Sequence, residues 1–459
     1  MKVGKEAFDC RMAGVLLHLR SLAAKENGNR IYHWFDFMNE AGLKVWQFLP
    51  LGVPHKDGSP YQTQSAFAVD PCLFPEAAMM FGLEPDGECF ERFCTEQSHW
   101  LDDYAQYTIL KRLYAGRPWF EWLPPHRDRR PDTLGQLAKQ HAEELLAIKW
   151  QQYSLLEYWK GLHRHARDKG ILLFGDLPIF VAHDSADVWS HPEYFLLDGE
   201  GKLLYESGVP PDYFSATGQH WGNPQYNWEA MQADGFGWWI DRIRYLLEWV
   251  DIFRIDHFRG LEAVWMIDAS NHSAVDGYWQ KTPGDALLAA IEEQLGSVPM
   301  VAENLGVITP EVTALQKKYK LPGMSVLQFA FDEFEDNPHK PWNIGYQTVA
   351  YTGTHDNDTT AGWFHSLTGK EADTVRTMLG MEEDDEPVWS MIDSVMASKA
   401  WLAVIPMQDF LGLGSESRMN TPGTKNGNWN WLLPDDALTD ELAAHIHEYV
   451  KAEGRICDA

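Results

Sequence analysis

Basic residues are scarce in this chain. Lys and Arg together number 38 against 67 Asp and Glu, a formal charge of −29 over 459 residues. A surface of that sign repels phosphate backbones and anionic lipid. Nucleic acid and membrane surfaces are therefore not expected as partners, and a neutral ligand fits better. Cysteine is sparse too. Cys10, Cys72, Cys89, Cys94 and Cys457 are odd in number and form no C-x-x-C pair. That argues against a disulfide framework or a structural zinc site and suits a reducing cytoplasm, the expected location. No apolar run reaches the roughly 18 residues of a membrane span. Residues 12–24 resemble a signal peptide only faintly, because His18 and Arg20 interrupt them and Glu6 and Asp9 precede them; a strand is predicted there.

Several motifs are missing as well. There is no repeat and no low-complexity linker. LGLGSES at 411–417 lacks the third glycine of a dinucleotide fingerprint, and neither H-E-x-x-H nor G-x-S-x-G occurs. The pairs His163/His165 and His445/His447 stand two apart on predicted helices and so face apart. No metal and no cofactor are expected.

Tryptophan, by contrast, is abundant at 21 residues. Most single tryptophans fill cores, but a surplus suits grooves that hold flat, amphipathic ligands such as sugars. Short apolar runs with polar ends recur at 14–19, 45–51, 171–178, 250–259, 298–306, 324–331, 349–357 and 403–409. Such runs read as buried parallel strands, and helical patterns such as 235–248 and 283–295 lie between them. Eight of them predict an α/β fold, a (β/α)8 TIM barrel spanning 1–459 as a single catalytic unit. Residues 53–168 are expected to form a helical insertion between the second and third strands. Residues 179–228, rich in Pro, Gly and aromatics, are expected to be a long active-site loop. After the eighth run only a loop and a helix near 439–449 remain, so no separate β-rich C-terminal domain is expected.

In such a barrel the chemistry sits at the carboxyl ends of the strands. Asp176 ends the third run. Arg254, Asp256 and His257 end the fourth, Glu303 the fifth, and His355, Asp356 and Asp358 the seventh. One Asp at a strand end is often only a helix cap. Several on one rim, two of them beside a cation, suit glycosidic bond exchange, in which one carboxylate attacks the anomeric carbon and another protonates the leaving oxygen. Arg254 stands two residues before Asp256 on one strand, hence on the same side, where it can keep that carboxylate ionised.

FRIDHFRG (253–260), AENLGVITPEV (302–312) and YTGTHDND (351–358) resemble the amylomaltases, the 4-α-glucanotransferases of glycoside hydrolase family 77 in the α-amylase clan. The likeness extends through LPLG and SPYQTQSAFA (49–68), GDLPIFVAHDSADVW (175–189), GVPPDYFSATGQHWGNP (208–224), LPGMSVLQFAF (321–331) and GSESRMNTPG (414–423), in family order over nearly the whole chain. It implies transfer of α-1,4-glucan segments between maltooligosaccharides, which serve as donor and acceptor, with retention through a covalent glycosyl-enzyme. Asp256 would be the nucleophile, Glu303 the general acid then base, and Asp356 the stabiliser of the transition state, helped by His355. Arg254 would support Asp256. Asp176 and Tyr61 would lie at the donor site, and Tyr213, Phe214, Trp221 and Phe329 would contact the glucan on the acceptor side. Hydrolysis by the same carboxylates is the alternative activity, and a non-catalytic glucan-binding barrel is a third reading. The chain departs from the family pattern at SLAAKENGNR (21–30), which is shortened, at DGSPYQ (57–62), at Asn304, where Asp is more familiar, and at Leu432.

Overall fold

A computed structural model describes residues 10–22, 30–77, 87–211, 217–271, 273–382, 384–424 and 426–456. Its strands, in chain order, are β1 Met12–Leu16, β2 Val45–Gln47, β3 Leu172–Leu177, β4 Tyr205–Val209, β5 Gln219–Pro224, β6 Ile252–Ile255, β7 Ala263–Asp268, β8 Tyr278–Lys281, β9 Met300–Ala302, β10 Gly323–Val326, β11 Thr348–Tyr351 and β12 Leu402–Pro406. Eight of them form one parallel sheet in the order β10-β11-β12-β1-β2-β3-β6-β9. These are the eight apolar runs of the sequence, and the fold is the expected (β/α)8 barrel.

Side-chain alternation explains why runs apolar on both faces are needed. In β6, Ile252 belongs to one apolar cluster, and Phe253 and Ile255 belong to another. In β12, Leu402 and Val404 divide from Ala403 and Ile405 in the same way. The smaller cluster fills the barrel; the larger packs strands against the outer helices. Because the period is two, the inward register continues past the apolar layers into polar residues. Asp176 follows Phe174, Arg254 and Asp256 follow Ile252, and Glu303 follows Val301, so the barrel filling ends upward in charge.

The ring closes between β9 and β10. Ala302 N–H donates to Pro322 O at 2.8 Å. Asn304 seals the same seam: its Oδ1 accepts from Met324 N at 2.7 Å, and its Nδ2 donates to Gln316 Oε1 at 3.2 Å. An aspartate here would accept but have no hydrogen to donate, which gives the departure at Asn304 a physical content.

Between β2 and β3 lie the helices Gly87–Glu96, Ser98–Leu113, Pro131–Gln140 and Ala142–Asp168. The stretch 179–228, expected to be a long active-site loop, contains regular elements. It carries the short helix Ala186–Ser190 and then β4 and β5, which join β7 and β8 in a four-stranded antiparallel sheet ordered β5-β4-β7-β8. The strings YESGV and QHWGNP have no apolar alternation, so only the pairing of β4 with β7 and of β5 with β4 reveals them as strands. No strand follows β12 among the described residues. Cys72, Cys89 and Cys94 form no disulfide, whereas Cys10 is disulfide-bonded, a bond that an odd count and the missing C-x-x-C gave no reason to expect. Among the described residues no helix is long and apolar enough to cross a membrane.

Candidate active site

Parallel register sets Asp176 on β3 beside Arg254 on β6. The guanidinium Nε donates to both Asp176 oxygens at 3.1 Å, and Nη2 donates to Oδ2 at 2.7 Å. Nη2 also reaches Asp256 Oδ1 at 2.9 Å and Tyr61 OH at 3.0 Å. Asp176 is wholly buried, so it lies beneath the cleft and not on its surface. Its role there is to hold Arg254 by charge-assisted bonds, which are the stronger kind.

Tyr61, from the loop after β2, donates its hydroxyl to Asp176 Oδ2 at 2.7 Å and stands 3.0 Å from His355 Nε2. Burial holds the His355 imidazole below its usual range, so it is neutral here. Asp356, next to it, is half in solvent. Its Oδ1 accepts from Asn420 Nδ2 at 2.6 Å, and its carbonyl accepts from Arg418 Nη2 at 2.6 Å.

Glu303 faces Asp256 from the adjacent strand. Its Oε2 accepts from His257 N at 2.7 Å and its Oε1 from Leu305 N at 2.8 Å. The first bond needs an unusual backbone: His257 has φ of +50°, a left-handed conformation that costs about 1 kcal/mol for a non-glycine residue. Phe258 N donates to Glu303 O at 3.0 Å, so the segments after Asp256 and around Glu303 are stitched together.

The two carboxyls share one electrostatic environment. Burial pushes Asp256 up to about 8, with Asp176, Glu303 and Asp356 adding and Arg254 opposing. Burial raises Glu303 as well, against Arg254 and the two backbone N–H groups. Two half-buried carboxyls raised together retain a proton between them at neutral pH.

The aromatic residues are less uniform. Trp221 on β5 is half-buried and meets the His257 ring edge-on at 5.0 Å, beside Asp256. Phe329 ends the turn Leu327–Phe329 after β10 and meets His339 edge-on at 5.5 Å. Tyr213 and Phe214 lie outside the described residues. Three residues were not singled out from sequence: Trp429, whose ring lies 6.0 Å from those of both Tyr61 and His355, together with Asn420 and Arg418. Arg418 and Asn420 lie in GSESRMNTPG, but only the folded chain shows that they reach Asp356.

A barrel whose carboxyl rim gathers Asp256, Glu303 and Asp356 around a buried Arg–Asp pair defines a carbohydrate-active enzyme that works on glycosidic bonds. The family model described as 4-alpha-glucanotransferase of glycoside hydrolase family 77 matches residues 17–81 and 74–438. The chain is 41% identical to the 4-alpha-glucanotransferase of Thermus thermophilus, covering 97% of this chain and 99% of that one. It is 37% identical to the chloroplastic/amyloplastic enzyme of Solanum tuberosum, over 98% and 88% of the two chains. The amylomaltase of Streptococcus agalactiae, solved with acarbose, superposes with a TM-score of 0.91 at 32% identity, over 97% and 99%. This chain belongs to the 4-alpha-glucanotransferases of glycoside hydrolase family 77. Its activity is glucan transfer, and the hydrolytic alternative is not favoured.

Proposed function

We propose that the enzyme exchanges α-1,4-glucan segments between maltooligosaccharides by double displacement, with Asp256 as nucleophile and Glu303 as acid and base. The observation that carries this reading is the bond from Arg254 to Asp256. That guanidinium stabilises the Asp256 carboxylate, so the proton held by the pair belongs on Glu303 when a sugar occupies the cleft. Glu303 must swing from its two backbone donors to reach the glycosidic oxygen.

In the first step an Asp256 oxygen bonds to the anomeric carbon, the bond from that carbon to the 4-oxygen of the next sugar breaks, and Glu303 gives that oxygen its proton. In the second step an acceptor 4-hydroxyl gives its proton to Glu303 and its oxygen bonds to the anomeric carbon. Asp256 then leaves as carboxylate. Two inversions give retention. Asp356, held by Asn420 and Arg418, lies on the rim where it meets ring hydroxyls. Tyr61 presents its ring beside His355 as a stacking surface. Asp176 acts through Arg254. Trp221 and Phe329, with Tyr213 and Phe214, contact the acceptor-side glucan. We also propose a cytoplasmic location, which Cys72 and Cys94 outside any disulfide suit, the Cys10 bond notwithstanding, and which cell fractionation checks.

The test separates the two carboxyls. Asp256→Asn should abolish turnover on every donor. Glu303→Gln should fail on maltotriose yet still form the glycosyl-enzyme from a donor with a good leaving group, which needs no protonation. Equal loss of both variants on both donors would overturn the division of roles.

A further inference from the structure

β8 is an edge strand, and all four of its residues are exposed. Two of them, Tyr278 and Trp279, are large aromatics. An open aromatic edge is a liability for association unless it is used. Trp279 is held rigidly. The Arg259 guanidinium lies over its ring, 3.8 Å from the centroid, and its cross-strand partner Trp265 meets it edge-on at 5.2 Å. Arg259 is itself buried and donates Nη1 to Val307 O at 3.0 Å. These links tie Trp279 to the two segments that carry the carboxyls, Arg259 being three residues beyond Asp256 and Val307 four beyond Glu303. Trp279 nonetheless keeps 37% of its surface exposed. On the same face of β8, Lys281 pairs with Glu262, so polar groups that suit hydroxyls flank the ring.

We propose that Trp279 is a glucan-stacking platform on the rim outside Glu303, taking sugar units of long α-glucans beyond those at the bond being exchanged. This rests on the roles given above to Asp256 and Glu303. The C–H face of a pyranose stacks on an indole ring, and a ring already fixed by Arg259 loses little freedom on contact. Charge favours this occupant. At −29 the protein repels a second copy of itself and any anionic polymer, whereas a glucan is neutral.

Transfer is measured with maltotriose and with maltoheptaose for wild type, Trp279→Ala and Trp279→Phe. Trp279→Ala should raise KM for maltoheptaose, relative to KM for maltotriose, by roughly three- to tenfold. Trp279→Phe, which retains an aromatic face over Arg259, should recover most of that ratio. In native gels containing amylose, the alanine variant should also migrate faster than wild type. An equal change on both substrates, or none, overturns the proposal. So does a dimer that becomes monomeric on Trp279→Ala, by sedimentation, with no change in the chain-length ratio. The gel reads binding without turnover, so an active Asp256→Asn enzyme would remove the catalytic assignment and leave the Trp279 result to be judged separately.

Discussion

Tyr61 lies nearly flat against His355, with ring centroids 5.3 Å apart and planes 15° from parallel, and its hydroxyl is 3.0 Å from Nε2. That hydroxyl donates to Asp176 and receives from Arg254. Its one hydrogen is therefore committed, and it accepts from His355 Nε2–H, which sets the tautomer of a neutral imidazole. One phenol thus ties the β3–β6 ion pair to the end of β11, on opposite sides of the barrel mouth.

Tyr61→Phe should keep the ring and remove this junction. A hydrogen bond to a charged group contributes about 1.5–3 kcal/mol, so kcat should fall by roughly ten- to a hundredfold. KM for maltotriose should change less, since the stacking surface remains. Loss of thermal stability in step with activity would show that the phenol serves packing instead.

The raised carboxyls set the pH response. With burial holding Asp256 up to about 8 and Glu303 above its usual range, the pair carries a proton at neutrality. As pH rises into the basic range that proton leaves, both groups are charged, and none remains for the leaving oxygen. The profile of kcat/KM should fall on its basic limb there, by about tenfold per unit. In Glu303→Gln, assayed with a good leaving group, that limb should vanish. Its persistence would place the essential proton elsewhere.

Trp221 should govern the choice between sugar and water. Its ring stands edge-on to His257, next in the chain to Asp256, and in the proposed mechanism it would cover the acceptor side and orient the incoming sugar. Trp221→Ala should raise reducing ends gained per glucose released from maltotriose. An unchanged ratio with intact donor binding would reduce Trp221 to a packing residue.

Away from the site, Asp251 is wholly buried between His163 Nε2 at 2.8 Å and Arg167 Nη2 at 2.7 Å, and it accepts from Leu173 N at 2.9 Å. Burial opposes its charge, but these bonds outweigh it and hold the carboxyl below the usual range. A lowered folded value means that the stabilisation is present above the unfolded value of about 3.9 and is lost as pH falls through the folded one. Urea unfolding from neutrality into acid should show that loss. Asp251→Asn should cost about 3 kcal/mol at neutral pH, the low end for a broken buried pair because Arg167 reaches solvent. The variant should also flatten the acid dependence.

Much of this protein was legible along the chain. All eight barrel strands follow from apolar runs bounded by polar residues, because a strand buried on both faces has no other pattern. The pairing of Arg254 with Asp256 follows from a spacing of two. The strands β4 and β5 were not legible, since YESGV and QHWGNP lack alternation; β4 is held by β7, whose residues lie tens of positions on, and β5 is held by β4. The same holds for Asn420 on Asp356 and for Trp429 beside Tyr61.

The sequence by itself determined the barrel, the rim on which the carboxylates stand and the family, because these depend on local periodicity and long contiguous motifs. Only the tertiary structure decided which partners those carboxylates have. Asp176 is buried against Arg254 because parallel register set the two side by side. Trp279 lies on the Arg259 guanidinium because that side chain turned back beneath it. Hydrogen bonds between distant segments depend on closure of the ring, and no spacing along one strand encodes them.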